Sequence, residues 1–332
     1  VSGSIAFDHI MRFPGSFRDY ILPDKAHVLS VSFLFDSLVR LRGGVAGNVA
    51  FNLALLGERP ALVGVGGSDF ADYRAVFEQL GVDMRLVRTD PESLTGSSFM
   101  STDLSGNQIA GFYPGASRMA ADISVASVAG GAEFGVVGPT TLEAMRRHVR
   151  EFHAAGCRLI YDPSQQVVAL PAADLREGIE LAWAVIGSDY EFAVMEQKTG
   201  LTIEDIVARV PFVGVTYGAQ GSQLHWRGER FDIPIVPAEP LVDPTGGGDA
   251  YRAGLLKGLL LGLPLPVVGR IGALAATYAI ERFGTQEHRY DADAFAARFD
   301  KTFPEQAGSI DASWFREPAR GHALALDAPV ER

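Results

Sequence analysis

FGVVGPTTLEAMRRHVREFHAAGCRLIYD, residues 134–162, reads as a strand, a helix and a second strand. Phe134–Val137 and Arg158–Asp162 are short apolar runs. Thr141–Ala155 between them repeats apolar residues at helical spacing and stops at Gly156. A strand, a crossover helix and another strand make a parallel pair with the helix on one face. The rhythm continues outward in both directions. Upstream, strand 61–66 precedes helix Asp72–Leu80, closed by Gly81. Downstream come helix Asp174–Ala182, strand Ala184–Ile186, helix Tyr190–Lys198 ended by Gly200, and strand Phe212–Thr216. The pattern predicts an α/β fold: a doubly wound, mainly parallel sheet with helices on both faces.

Two regions break the rhythm. Between His27 and Phe35, apolar Leu29, Val31, Phe33 and Phe35 alternate with serine at 30 and 32, as in a strand. Ser97 to Tyr113 reads as a hairpin turning at Leu104-Ser105-Gly106-Asn107. With the first strand these predict a small antiparallel sheet, either a β lid over a ligand or ordinary edge strands. After Phe303 the chain mixes Gly, Pro, Ala and charges without period, so residues 304–332 read as a tail beyond a 1–303 domain.

Composition narrows the function classes. At 47% hydrophobic and 21% charged over 332 residues, the chain can bury a large core. Its longest apolar stretch, Ala253 to Val268, is interrupted by Lys257, Gly258, Gly262, Pro264 and Pro266, so no spanning helix is expected. The single cysteine, Cys157, rules out an internal disulfide. With no leader pattern visible, a cytoplasmic location is expected. A net charge of −11 argues against a nucleic-acid reader but not against a phosphorylated small molecule.

The most specific motif is Asp243-Pro-Thr-Gly-Gly-Gly-Asp-Ala-Tyr-Arg-Ala-Gly254, followed at once by an apolar helical run, Ala250 to Leu261. Glycines at a helix start let the backbone approach a ligand and aim unpaired N–H groups and the positive helix end at one point. Gly246, Gly247 and Gly248 therefore form a candidate anion hole. Asp249, beside a bound phosphate, would repel it unless it accepts a proton from an attacking hydroxyl. No Gly-Lys-Ser/Thr follows, and Gly64-Val-Gly-Gly completes no dinucleotide fingerprint.

Asp243 to Gly254 resembles the anion-hole signature of the ribokinase-like (PfkB) carbohydrate and nucleoside kinases. Gly43-Gly44-Val45-Ala46-Gly47-Asn48 resembles that family's glycine-pair and asparagine signature, and Ser4-Ile5-Ala6-Phe7-Asp8-His9 its first strand. Phe112-Tyr113-Pro114-Gly115-Ala116, Asp162-Pro163-Ser164-Gln165-Gln166 and Gly284-Thr285-Gln286-Glu287 are similar to bacterial adenosine kinases and broad nucleoside kinases. The resemblance implies a ribokinase-like fold with a lid from about 9–42 and 96–116. It also implies ATP as cosubstrate, with Ser4, Asp8, Gly43, Gly44 and Asn48 holding ribose. The residues allow this: the Asp8 carboxylate can accept from a vicinal diol, and the Asn48 amide both donates and accepts. Asn48 also reads as a first-turn cap of helix Val45–Leu56. Gln165 and Gln166, just past a strand end, suit a purine edge. Phe99 and Phe112 suit a sandwich of its ring or simply lid core.

On the nucleotide side, Thr216-Tyr217-Gly218-Ala219-Gln220-Gly221 resembles the family's loop over the ATP phosphates. Ser188-Asp189-Tyr190-Glu191 resembles its Asn-x-x-Glu motif with serine in place of asparagine. The resemblance gives Glu191 a role toward Mg²⁺ through water, and Asp243 and Thr245 a possible K⁺ site. Asp162 reads either as part of a metal–water network or as a cap of the Pro163 turn. Arg252 and Lys257 read as a solvated helix face, and Arg118 as a surface arginine able to close on phosphate. Among the seven histidines, His148 and His153 are five apart, so no ligand pair forms. The expected function is an ATP-dependent nucleoside kinase, most simply an adenosine kinase, pairing as a homodimer through the lid. Its rivals are an inosine/guanosine or sugar kinase and a non-catalytic nucleotide sensor.

Overall fold

The computed structural model describes residues 1–21 and 31–318. In chain order the strands are β1 (Ala6–Arg12), β2 (Ser37–Gly43), β3 (Ala61–Gly66), β4 (Asp83–Thr89), β5 (Gly96–Thr102), β6 (Gln108–Tyr113), β7 (Phe134–Val137), β8 (Arg158–Tyr161), β9 (Ala184–Ser188), β10 (Phe212–Thr216), β11 (Ser222–Trp226) and β12 (Glu229–Ile233). The helices are α1 (Val45–Leu55), α2 (Ala71–Gln79), α3 (Ala126–Ala129), α4 (Leu142–Ala154), α5 (Ala172–Leu181), α6 (Asp189–Thr199), α7 (Ile203–Val207), α8 (Gly247–Leu260), α9 (Leu265–Ile280) and α10 (Ala292–Thr302).

The central sheet runs β12-β11-β10-β9-β8-β7, parallel from β7 to β10 and antiparallel beyond it. Ser2 bridges β7 to β3, which carries β4, so one surface continues across both pieces. Strand alternation sorts the core into two layers. Ile160, Ile186 and Phe212 pack with α1, α8 and α9, whereas Leu159, Tyr161, Val185, Val213 and Val215 pack with α4, α5 and α6. Each such buried aliphatic contributes about 1.5–3 kcal/mol, which is why these runs read as strands apolar on both faces.

A second sheet, β2-β1-β5-β6, is the small β lid and shares a cavity with the carboxyl ends of β8, β9 and β10. The expectation that it is antiparallel is corrected: β1 pairs antiparallel with β2 but parallel with β5, because the chain passes through α1, β3, α2 and β4 before it returns to the lid, and β5 pairs antiparallel with β6 across the hairpin. Its hairpin turns where the sequence places it, on Leu104–Asn107. The strand expected up to Phe35 is corrected. Among described residues, 31–35 makes no ladder and β2 starts at Ser37, while Leu29 lies outside the described residues. The side-chain alternation survives: Phe33 and Phe35 turn inward onto Phe13, and Phe33 also onto Phe17 and Tyr20. Ring packing without backbone pairing is enough for that pattern.

Beyond Phe303 the chain makes two short turns, 304–306 and 312–315, and buries Phe315 against Phe295 at 5.0 Å. No helix among the described residues is long and apolar enough to cross a membrane.

Candidate active site

The carboxyl ends of β8, β9 and β10, the N-termini of α1 and α8, and the inner face of the lid enclose a cavity of about 610 Å³. At its floor Gly246 adopts φ +80 and opens α8; a side chain there would also strike Thr285. Asp249 follows in the first helical turn, 8% exposed. Asn48, in the first turn of α1, donates from Nδ2 to Asp249 Oδ2 at 2.8 Å. Its other end is fixed: Asn48 Oδ1 accepts from Thr285 Oγ1 and Gln286 Nε2, both at 2.9 Å. Two donors on the oxygen leave the amide no choice but to face the carboxylate with its nitrogen.

Arg252 stands one turn further along α8. Its Nε lies 2.5 Å from Asp162 Oδ2, its Nη2 2.9 Å from Asp162 Oδ1, its Nη1 3.6 Å from Asp249 Oδ1, and its Nη2 3.8 Å from Glu191 Oε2. Burial pushes the Asp249 carboxyl above its ordinary range, against the pull of Arg252 and the Asn48 hydrogen bond. Burial likewise raises Asp162 to about 7, opposed by Arg252 and reinforced by Glu191 and Asp249. A carboxylate whose proton affinity is raised by burial is a better proton acceptor than an ordinary exposed one.

The acceptor side is built on glycine. Gly44, at φ +88, turns the chain from β2 into α1, where any Cβ would fall 2.6 Å from Ser4 O and Ala6 N. Ser4 Oγ then accepts from Val45 N at 3.0 Å, capping α1 from a distance. A side chain at Gly43 would meet Asp8 Oδ2 at 2.2 Å, so the missing Cβ is what seats that carboxylate. Burial, with Asp249 and Asp243 nearby, raises Asp8 to about 6.

Residues 7–292 match the model of the pfkB family carbohydrate kinases. The chain belongs to this family. The nucleoside kinase of Methanothermobacter thermautotrophicus is 30% identical over 301 residues, covering 90% of this chain and 94% of its own. That of Methanocaldococcus jannaschii is 28% identical, covering 85% and 94%. The solved nucleoside kinase of Burkholderia thailandensis in complex with inosine superposes with TM-score 0.82 at 35% identity, covering 91% of this chain and 97% of that one. The same enzyme has also been solved with ADP and inosine. The ribokinase-like fold and the phosphotransferase class follow.

In this kinase, Ser4, Asp8, Gly44, Asn48, Phe112, Gln165, Ser188, Glu191, Thr216, Thr245, Gly246, Gly248 and Asp249 all line the one cavity. Others do not. Gly247 packs toward Ile280, so Gly246 and Gly248 are the glycines that face the space. Gln166 turns away and donates to Thr140 O at 2.8 Å, leaving Gln165 as the amide at the cavity. The Phe99/Phe112 sandwich is corrected by register. Phe112 pairs with Ser98 and Phe99 with Gly111, so the two rings lie on opposite lid faces. Phe99 stacks on His9 at 4.7 Å, while Met100 joins Phe112 inside.

Arg252 and Lys257 are not solvated. Lys257 is 0% exposed, 2.5 Å from Glu58 and 3.2 Å from the Glu317 carbonyl. Helix α8 is buried nearly all round, so its charges needed partners rather than water. Among the described residues the Asp162 side chain pairs with Arg252 rather than capping the Pro163 turn. Arg118 donates to Gly115 O at 3.1 Å and stays outside the cavity.

Ser188 caps α6 reciprocally: Glu191 N donates to Ser188 Oγ at 3.3 Å and Ser188 N to Glu191 Oε2 at 2.7 Å. Serine at this position therefore holds Glu191 in place. Gly218 and Gly221 shape the turn beyond Thr216, closed by Tyr217 N on Gly221 O at 2.8 Å. Asp243 accepts from Thr245 N and Gly284 N, tying the two loops together. The reading of the sequence missed Ser164, Met100 and Thr285 as cavity residues. The i, i+3 spacing of Asp249 and Arg252 was the one signal for that pair.

Proposed function

We propose that this kinase transfers the γ-phosphoryl group of ATP to the 5′-hydroxyl of a purine nucleoside. The observation that carries this is the carboxylate of Asp249, in the first turn of α8 and lining one cavity with Gly246, Gly248 and Asp8. Asp8 accepts from the ribose diol and Asn48 holds the Asp249 carboxylate. Asp249 takes the hydroxyl proton as the 5′-oxygen bonds to the γ-phosphorus and the bond from that phosphorus to the β-phosphate oxygen breaks, releasing ADP; the amides at the start of α8 meet the developing charge on the transferring group. The lid excludes water, which makes each of these contacts stronger.

Glu191 and Asp249 bring hard carboxylate oxygens to the cavity, and no cage of three acids or histidines exists among the described residues. That donor set fits Mg²⁺ arriving on the nucleotide phosphates with its waters, where it supplies charge neutralisation. A K⁺ site at Asp243 and Thr245 belongs to the same proposal. So does pairing of two copies through the lid, whose edge strand β2 exposes Leu38 and Val39.

A broad purine acceptor is favoured over adenosine alone. Gln165 is the single base-side amide at the cavity, and an amide can donate to a 6-oxo or accept from a 6-amino group by turning over. ATP consumption and monophosphate formation measured in parallel on adenosine, inosine, guanosine, cytidine, ribose and fructose test the reading. Turnover of adenosine and inosine well above free sugars supports it; activity on free sugars alone overturns it.

A further inference from the structure

Among the described residues lining the cavity, Asp8, Glu191 and Asp249 are acidic and Arg252 is the only cation. It is buried, and the chain makes room for it: a Cβ at Gly248 would lie 2.8 Å from Arg252 Nη1. The third glycine of the anion hole therefore serves the guanidinium as well as the backbone. One fork reaches three elements at once, Asp249 on α8, Asp162 at the end of β8 and Glu191 at the start of α6. Asn48 already pins Asp249 Oδ2, and Arg252 faces Oδ1. The carboxylate is thus held from both sides.

We propose that Arg252 is a positioning residue for phosphoryl transfer, its planar fork holding the Asp249 carboxylate in register with Asp162 and Glu191. This rests on Asp249 being the proton acceptor. A guanidinium is suited to the task because its donors diverge in one rigid plane; an ammonium is a point charge and cannot span the three acids. The ionic partners of Arg252 are Asp162, Asp249 and Glu191, and the acceptor-side groups Asp8 and Gly44 are not among them. Loss of the fork should therefore appear in kcat and not in nucleoside KM.

The test compares R252M, R252K and the double variant R252M/D162N with wild type, using whichever acceptor wild type phosphorylates fastest. R252M strands Asp162 in the interior, so a lowered melting temperature is expected. R252M/D162N removes both buried charges and should recover the stability. If Arg252 only neutralises Asp162, the double variant also regains kcat to within about threefold of wild type, and the proposal is overturned. If the fork positions Asp249, the double variant melts near wild type with kcat down about 10²-fold and acceptor KM within about threefold. Should both neutral variants fail to fold, R252K decides. A drop in kcat of about tenfold or more at unchanged KM supports the fork, and kcat near wild type refutes it. D249N run alongside separates the two readings. If D249N keeps its turnover, the role of Asp249 falls; if only the Arg252 variants keep theirs, the present inference falls alone.

Discussion

At the scale of single residues, the site depends on where carboxylates are buried. Asp249→Asn keeps the size and can still hydrogen-bond, but it cannot accept a proton. Its kcat should fall by about 10²–10⁴ while calorimetry shows nucleoside and ATP still binding. A variant that binds both and keeps more than about a tenth of kcat contradicts the role. Asp8 makes a prediction in the opposite direction for stability. Its folded-state value is raised from 3.8 to about 6, so ionising it opposes folding; that loss sets in above pH 4 and is complete above pH 6. Two pH units correspond to about 3 kcal/mol. Asp8→Asn should therefore melt a few degrees above wild type at pH 8 but not at pH 4, with a higher nucleoside KM. An equal melting difference at both pH values would remove the burial penalty from the account. The glutamine pair now divides. Gln165→Ala should raise purine nucleoside KM by about 5–150-fold, the equivalent of 1–3 kcal/mol, while Gln166→Ala, cut off from Thr140, should leave KM alone and cost stability. Equal KM effects in the two variants would put base selection elsewhere.

At the scale of elements, local sequence was most informative where one face or one cap decides the outcome. The strands at 61–66, 134–137 and 212–216 lie where their apolar runs end, because glycine and capping residues punctuate them. Helix α8 defeats the same logic. It is surrounded by protein, so Lys257 and Arg252 found Glu58 and Asp162 instead of solvent, and nothing local distinguishes a solvated lysine from a paired one. The segment after Phe303 was illegible for a related reason. It has no period of its own, and Phe315 is held by α10 and by the close approach of its carbonyl to Gly57. Phe315→Ala should lower unfolding free energy by about 3–5 kcal/mol in urea titration, with kcat unchanged below the melting range. A loss under about 1 kcal/mol would mean that the segment merely rests on the surface.

At the scale of the whole molecule, the lid edge β2 carries exposed Leu38 and Val39 on a flank that no other strand pairs among the described residues. Light scattering at micromolar concentration should give about twice the 35.6 kDa chain mass, and Leu38→Lys should shift it toward the monomer. A monomeric wild type excludes the pairing. By itself the sequence determined the α/β class, the glycine turn that opens a helix with Asp249 in its first turn, and the glycine pair before Asn48. Each of these is a short-range matter of period, cap or backbone freedom, written in adjacent residues. Only the tertiary structure decided which of two neighbouring glutamines faces the cavity, which lid phenylalanine lies inside, and that Arg252 joins three acids from three elements. Those outcomes depend on strand register and on partners 26 to 201 residues away, as with Thr140 at 26 residues from Gln166, Asp162 at 90 from Arg252 and Asn48 at 201 from Asp249. No local pattern encodes a partner at that distance; packing the elements around one cavity supplies it.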